Sequence, residues 1–204
     1  MQSNQEGHRL IVSVDPGFGG TGVCMFIDSQ LYRFTNLKSG EEGNARYIDV
    51  ASRCARNVLN WINDFRTVAL YPISRVDVVV ESPHAMGGAS GHASLARGDV
   101  FTVAKLAGAI GTVIALYVGT LMEDLYEGST RVYLSYPEVR EWKGQTPKDV
   151  TKKRVLRDIE YATAYIKTKK FRLESAYPDH IFDAAGLGMW FIKENDICEL
   201  NVKQ

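Results

Sequence analysis

The feature that most constrains the fold is an apolar segment that ends on an acidic residue and leads at once into a glycine-rich turn. Residues 9–14 have the composition of a buried strand, with Leu10, Ile11, Val12 and Val14. Asp15 follows, and then the turn Pro16-Gly-Phe-Gly-Gly-Thr-Gly22. A carboxylate at the end of a buried strand is costly to desolvate, which points to a chemical role. Taken alone, an Asp before Pro-Gly is more often a turn former.

The apolar pattern predicts four further strands and four helices. The strands are predicted at residues 23–27, 31–36, 76–80 and 131–134, with Asp28-Ser29 as a tight turn inside an antiparallel meander. The helices are predicted at residues 44–65, 99–117 and 148–166, and from Asp179 to about Lys193. The order βββ-α-β-α-β-α-α predicts an α/β fold with a mixed five-stranded sheet flanked by helices. A disordered polar tail, residues 1–8, is expected before a single domain over residues 9–204.

Composition is that of an ordinary globular domain. The 204 residues suffice for one core, with 45% hydrophobic and 24% charged residues, and we expect no apolar run long enough to span a bilayer. The three cysteines, Cys24, Cys54 and Cys198, are odd in number and widely spaced, which disfavours a disulfide framework and a zinc site. We therefore expect a reducing, cytoplasmic location.

The net charge is zero, but the charges are distributed unevenly. Residues 131–172 hold 12 Lys and Arg against 5 Asp and Glu, a balance of +7. Residues 1–130 hold 10 basic residues against 13 acidic ones. Residues 173–204 hold 2 basic residues against 6 acidic ones. A basic block beside acidic flanks suits a protein that grips phosphates in one place and gathers cations in another. The alternative is a solvated helix face.

Three further polar residues are expected to approach Asp15. Glu81 ends the fourth strand, which should lie beside the first. His180 and Asp183 are three residues apart in the last helix, so they project from one face. The residues that follow are small and would let this helix pack closely on the sheet: Ala184, Ala185 and Gly186.

These four groups, three of them oxygen donors, suit Mg²⁺ or Mn²⁺ better than zinc. Carboxylates brought together repel each other, and a divalent cation removes that cost. Such a cluster fits phosphodiester hydrolysis by two ions about 3.5–4 Å apart. Each residue also has an ordinary explanation, since a strand-terminal Glu is often solvated, His180 alone suits a surface, and Asp179 after Pro178 could be a helix N-cap.

Five short motifs over residues 9–193 resemble motifs that follow in the same order in the RuvC-type Holliday junction resolvases. These resolvases belong to the RNase H-like superfamily, whose order of strands and helices the chain also shares. The five motifs are Ile11-Val-Ser-Val-Asp-Pro-Gly-Phe-Gly-Gly-Thr-Gly22, Val78-Val-Val-Glu81, Lys105-Leu-Ala-Gly-Ala-Ile-Gly111, the basic segment Pro137-Glu-Val-Arg140 with Lys143-Gly144 and Lys152-Lys153-Arg-Val155, and Asp179-His180 with Asp183-Ala-Ala.

The resemblance implies a metal-dependent endonuclease that resolves four-way DNA junctions in recombination and repair, working as a homodimer. It implies Mg²⁺, with Mn²⁺ able to substitute, held by the four residues named above: Asp15, Glu81, His180 and Asp183. The family uses Asp or His at the position of His180. Lys152 would be catalytic, and phosphates would be contacted by Lys143, Lys148, Lys152, Lys153, Arg97 and Lys105.

The sequence departs from the family pattern in two places. Residues 82–98 form a longer and more glycine-rich loop, without an aromatic residue between Glu81 and Phe101. The candidates for contacting the junction there are His84, Met86, His92 and Arg97. The basic segment is also one residue shorter before Lys143, which leaves open which lysine is catalytic.

Three other functions stay open at this point. A broader nuclease for flaps and other branched DNA, or another RNase H-like nuclease, would leave a similar sequence pattern. An actin-like ATPase would share the Asp15-Pro-Gly phosphate loop, but it needs a second domain and a second phosphate loop. A nuclease-like fold that only binds DNA would require a lost carboxylate, and all four candidate positions are filled.

Overall fold

The structure is a computed structural model that describes residues 7–17, 19–38, 45–69, 71–83, 99–126, 130–144, 146–163 and 177–202. Its five strands are β1 (His8–Asp15), β2 (Thr21–Ile27), β3 (Gln30–Leu37), β4 (Ile73–Val80) and β5 (Arg131–Ser135). They form one sheet in the order β3-β2-β1-β4-β5. The first three strands are antiparallel neighbours, whereas β4 runs parallel to β1 and β5 runs parallel to β4. The predicted mixed sheet is therefore confirmed.

The turn between β2 and β3 is the predicted two-residue hairpin. Asp28 and Ser29 both have positive φ, at 47° and 73°. Two successive positive φ values give the backbone twist that matches a pair of antiparallel strands. Asp28 also accepts a hydrogen bond from the backbone N–H of Arg9 at 3.0 Å, which ties the turn to β1.

Helices cover both faces of the sheet. They are α1 (Ala45–Arg66), α2 (Asp99–Tyr126), the short α3 (Val139–Trp142), α4 (Lys148–Thr163) and α5 (Asp179–Val202). Because side chains alternate along a strand, Leu10, Val12 and Val14 face α1 and α2. Ile11 faces the other way, toward a second core that α5 forms with Val155 of α4.

Several element boundaries differ from the sequence prediction, and one short helix was not predicted. His8 belongs to β1 instead of the tail, and residues 1–6 lie outside the described residues. Helix α2 runs to Tyr126, nine residues beyond its predicted end, because Val118 and Met122 continue its buried face. Helix α5 runs to Val202, and the four-residue α3 was not predicted.

The expectation that no apolar run could span a bilayer was wrong for α2. By length and composition alone, Val100–Tyr126 would suffice, since an 18-residue stretch within it has a mean hydropathy of 1.8. Core helices of globular proteins pass the same test. One side of α2 does pack in the core, through Leu106, Ile110 and Ile114. Cys24 and Cys54 are buried free thiols.

Candidate active site

The parallel pairing of β1 with β4 brings two acidic residues to one edge of the sheet. Val14 pairs with Val80, and the backbone N–H of Glu81 donates to the carbonyl of Val14 at 2.9 Å. Asp15 and Glu81 therefore leave neighbouring strands at the same end. Asp15 is buried, with 6% of its surface exposed, and Glu81 is half-buried. This is the edge predicted from the sequence.

The start of α5 lies directly against the turn that follows Asp15. A Cβ atom at Gly22 would collide with the backbone carbonyl of His180. A Cβ atom at Gly17 would collide with the His180 ring and lie 2.9 Å from its Nε2. The two glycines thus allow a close approach that brings the first turn of α5 to β1 and β2.

His180 and Asp15 form the first polar pair of the site. The Nδ1 atom of His180 lies 2.6 Å from Oδ2 of Asp15. Burial raises the pKa of Asp15 despite the opposing effect of this hydrogen bond. The same bond is the main reason that the pKa of His180 is also raised, against the opposing effect of its burial. The two side chains therefore shift each other's pKa, and His180 is the nearest group that can offset a negative charge on Asp15.

Glu81 is held by a residue from a distant part of the chain. The indole Nε1 of Trp142 donates to Oε2 of Glu81 at 3.1 Å. Burial, together with the neighbouring Asp15 and Asp183, raises the pKa of Glu81 to about 8. Lys143 and the Trp142 hydrogen bond act in the opposite direction. Glu81 is the least compensated carboxyl in the cluster, because its closest polar partner is neutral.

Asp183 completes the cluster together with Lys143. The Lys143 ammonium makes a short contact with Oδ1 of Asp183, and only 10% and 14% of the two side-chain surfaces are exposed. Lys143 also lies 5.3 Å from the centre of the Trp142 ring. The structure therefore places Asp15, Glu81, His180 and Asp183 at one edge of the sheet, with Lys143 among them.

The donor chemistry of this cluster fits a hard divalent cation, because three of its four groups are carboxylates. Within the described ranges, no three His, Cys, Asp or Glu side chains are arranged closely enough to enclose a metal ion. Asp15 is paired with His180 and Asp183 with Lys143. A bound cation would therefore compete with two protein cations for these oxygens.

The predicted DNA-contacting residues fall into three groups. Lys148 and Lys152 lie beside the start of α5, each 3.9 Å from Asp179, and Lys152 is 4.4 Å from the centre of the Phe182 ring. Lys153 is exposed on α4, and Lys105 is exposed on α2. His84, Met86, His92 and Arg97 lie outside the described residues. Asp179 is the first residue of α5 and its side chain faces the two lysines.

Sequence reasoning missed Trp142, whose indole contacts a carboxylate 61 positions away. A tryptophan beside Lys143 in a strongly charged segment was the available signal. Because α3 has only four residues, it shows no helical periodicity that would have indicated a fixed orientation.

No protein-family model matches the chain, and no curated protein matches it significantly. Among solved structures, the chain is similar to Thermus thermophilus RuvC in complex with a Holliday junction substrate. The TM-score is 0.51 at 15% identity, over 92% of this chain and 96% of that chain.

A second structure of Thermus thermophilus RuvC gives a TM-score of 0.48 at 16% identity, over 89% of this chain and 91% of that chain. The Fowlpox virus resolvase, in complex with its substrate Holliday junction DNA, gives a TM-score of 0.43 at 14% identity. The match covers 90% of this chain and 99% of that chain. At these identities the likeness to the first structure concerns the fold, and it confirms that this chain has the RNase H-like architecture it shares with RuvC.

Proposed function

We propose that this chain is a metal-dependent DNA endonuclease that cuts four-way junctions. The observation that carries the proposal is the convergence of Asp15, Glu81, Asp183 and His180, from three separate elements, beside buried and exposed lysines. Buried carboxylates at one sheet edge are costly unless a cation is used there. The fold shared with RuvC, solved with a Holliday junction substrate, supports DNA as the ligand.

The proposed cofactor is Mg²⁺, with Mn²⁺ able to substitute, and the proposed ligands are the three carboxylates and His180. When bound, such ions supply an activated water and stabilise the leaving oxygen of a phosphodiester. The chain's own residues prepare the site for this chemistry. Trp142 orients Glu81 through its indole N–H, and His180 and Lys143 balance the charge of Asp15 and Asp183.

Lys143 has a second proposed role, in binding the scissile phosphate. Its ammonium lies within the carboxylate cluster and contacts Asp183. With Asp183 engaged by a metal ion, the Lys143 ammonium would be able to contact a phosphate oxygen of the substrate. Lys148, Lys152 and Lys153 on α4 are proposed to contact phosphates further along the strand, with Lys152 assisting catalysis.

The proposed homodimer would use an exposed apolar surface on α2 and the neighbouring edge strand β5. Phe101 and Leu116, at 62% and 65% exposed, lie on the outer side of α2. Leu134 of β5 and Tyr136, just after that strand, lie against α2, because a Cβ atom at Gly111 would contact both of these side chains. Apolar surfaces of this kind on globular proteins often mark interfaces, and a symmetric pair would suit a substrate with two equivalent strands.

The experiment that tests the function compares synthetic DNA substrates of one sequence: a four-way junction, a flap, a linear duplex and an RNA–DNA hybrid. We expect paired symmetric cuts in the junction with Mg²⁺ or Mn²⁺, and none with EDTA. Equal cutting of junction and flap would make the chain a general branched-DNA nuclease. Cutting of the hybrid alone would contradict the proposal.

A further inference from the structure

A groove beside the carboxylate cluster is lined by α3, α4 and the middle of α5. We propose that this tryptophan groove, formed around Trp142, Trp190, Met189, Arg154 and Lys193, binds one unstacked nucleobase of the strand that is cut. Its volume is about 600 Å³, including space open to solvent. The inference rests on the proposed function for the identity of the ligand, which is DNA.

Two tryptophans line the tryptophan groove, and one of them is held in position by its neighbours. Trp142 packs against Gly186, where an added Cβ would come within 2.9 Å of its ring, and its indole N–H is held by Glu81. Trp190 lies four residues beyond Gly186 on the same side of α5 and is half-buried. A nucleobase has a flat π-face, and stacking on such rings is the usual way in which proteins hold single-stranded bases.

The rim of the tryptophan groove is cationic. Lys143, Arg154 and Lys193 line it. Asp158 is the acidic residue among the described lining residues. Its carboxylate accepts a hydrogen bond from Arg157 at 2.9 Å and lies 3.8 Å from the Lys193 ammonium. Its charge is therefore largely balanced locally, and the rim keeps a positive excess. Aromatic walls with a cationic rim complement a base joined to phosphates better than an apolar peptide.

The tryptophan groove is continuous with the carboxylate cluster. Trp142 lines the groove and contacts Glu81, while Lys143 lines the groove and contacts Asp183. A base seated between the tryptophans would therefore leave its own phosphate, or the next one, beside the carboxylates. The groove would thereby fix which phosphate of the strand lies at the carboxylates. The protein would then favour DNA that has an unpaired nucleotide near the branch point.

The test uses tryptophan fluorescence in the intact protein without metal. The chain has three tryptophans, so Trp61→Phe leaves only the two in the groove. Titration with a short single-stranded oligothymidylate in EDTA should quench this emission as the DNA binds. In the same background, Trp190→Ala should weaken binding about tenfold, as expected for loss of one stacked base. The matched variant Trp190→Phe keeps an aromatic face and should stay within about threefold of the parent.

Fluorescence anisotropy of labelled DNA reports binding independently, and thermal unfolding verifies that each variant folds. Equal affinity of Trp190→Ala and its parent, or binding without quenching, would overturn the tryptophan groove as a base site. Junction cleavage could still occur in that case and would uphold the proposed function. Conversely, quenching in the Trp61→Phe parent together with weaker binding by Trp190→Ala, in a protein that cuts no DNA, would uphold the groove and contradict the nuclease.

Discussion

At the scale of single residues, Glu81 is where burial and charge conflict most. Its pKa is raised from an ordinary value of 4.5 to about 8, because the carboxyl is buried beside Asp15 and Asp183. Trp142 supplies a neutral hydrogen bond and Lys143 is mainly engaged by Asp183. In the native protein without a cation, Glu81 therefore holds its proton through neutral pH.

Glu81→Gln should stabilise the metal-free protein at pH 8.5, by roughly 1–3 kcal/mol, and much less at pH 5. Between pH 4.5 and 8 the unfolded chain loses the Glu81 proton while the native state keeps it, so wild-type stability falls as pH rises. Glutamine does not ionise and avoids this loss. Urea unfolding in EDTA measures the difference, with Asp64→Asn on α1 as an exposed control. Equal stabilities of wild type and Glu81→Gln at both pH values would refute the pKa assignment.

Trp142→Phe should separate the positioning of Glu81 from the packing on Gly186. The phenyl ring retains contact with α5 but loses the indole donor, so the pKa of Glu81 should rise further. We expect cleavage to need more Mg²⁺ and its pH profile to move to higher pH, with turnover at pH 7 reduced about tenfold. The melting temperature should change little. A lower rate with an unmoved pH profile would mean that Trp142 acts only through packing.

At the scale of elements, the site depends on how closely α5 approaches the turn after β1. The approach is permitted by Gly17 and Gly22, which leave room for His180. The approach lets His180 hydrogen-bond to Asp15. Three residues later in the same helix, Asp183 forms an ion pair with Lys143. The glycine turn therefore contributes to the site mainly by leaving space for α5, and α5 carries two of the four site residues.

Gly22→Ala should displace the start of α5, since its Cβ would overlap the His180 carbonyl. Overpacking of this kind costs roughly 1–3 kcal/mol. We expect at least that loss of stability in urea, and loss of cleavage even where the protein is folded. Gly19→Ala in the same turn is the matched control, because its Cβ would meet nothing within 4 Å. Similar behaviour of the two variants would contradict the proposed role of the close approach.

The edge carrying Asp15 and Glu81 could be predicted because both follow buried strands whose pairing is fixed by topology. His180 and Asp183 could be predicted as a pair from their spacing on a helix. The contact of Trp142 with Glu81 could not be predicted, because the two residues are far apart in the sequence. The helix that carries Trp142 is also too short to show a helical pattern of apolar residues. The end of α2 was missed because Val118 and Met122 are recognisable as core residues only once α1 is packed against them.

At the scale of the whole molecule, the two helical layers have different roles. Helices α4 and α5, with α3, build the carboxylate cluster and the tryptophan groove on one face of the sheet. On the other face, α2 has a buried side and also carries exposed apolar residues, and β5 lies beside it. The arrangement separates the proposed DNA site from the proposed dimer surface.

Leu116→Glu should turn the proposed dimer into a monomer, because a charge buried in an apolar interface is costly to desolvate. Light scattering after size-exclusion chromatography gives the mass directly, against 22.7 kDa for one chain. Val68→Glu is the matched control, since Val68 is equally apolar and 71% exposed at the end of α1. A wild-type monomer, or an unchanged dimer in Leu116→Glu, would contradict this interface.

The most direct test of the central claim is cleavage and binding of one four-way junction by wild type and Asp15→Asn. The amide keeps the shape of the side chain but removes the charge that a divalent cation requires. We predict paired cuts by wild type in Mg²⁺, at least about a thousandfold less cutting by Asp15→Asn, and junction affinity within about threefold in EDTA. Asp64→Asn should cut like wild type. Undiminished cleavage by a folded Asp15→Asn would contradict the account of this site.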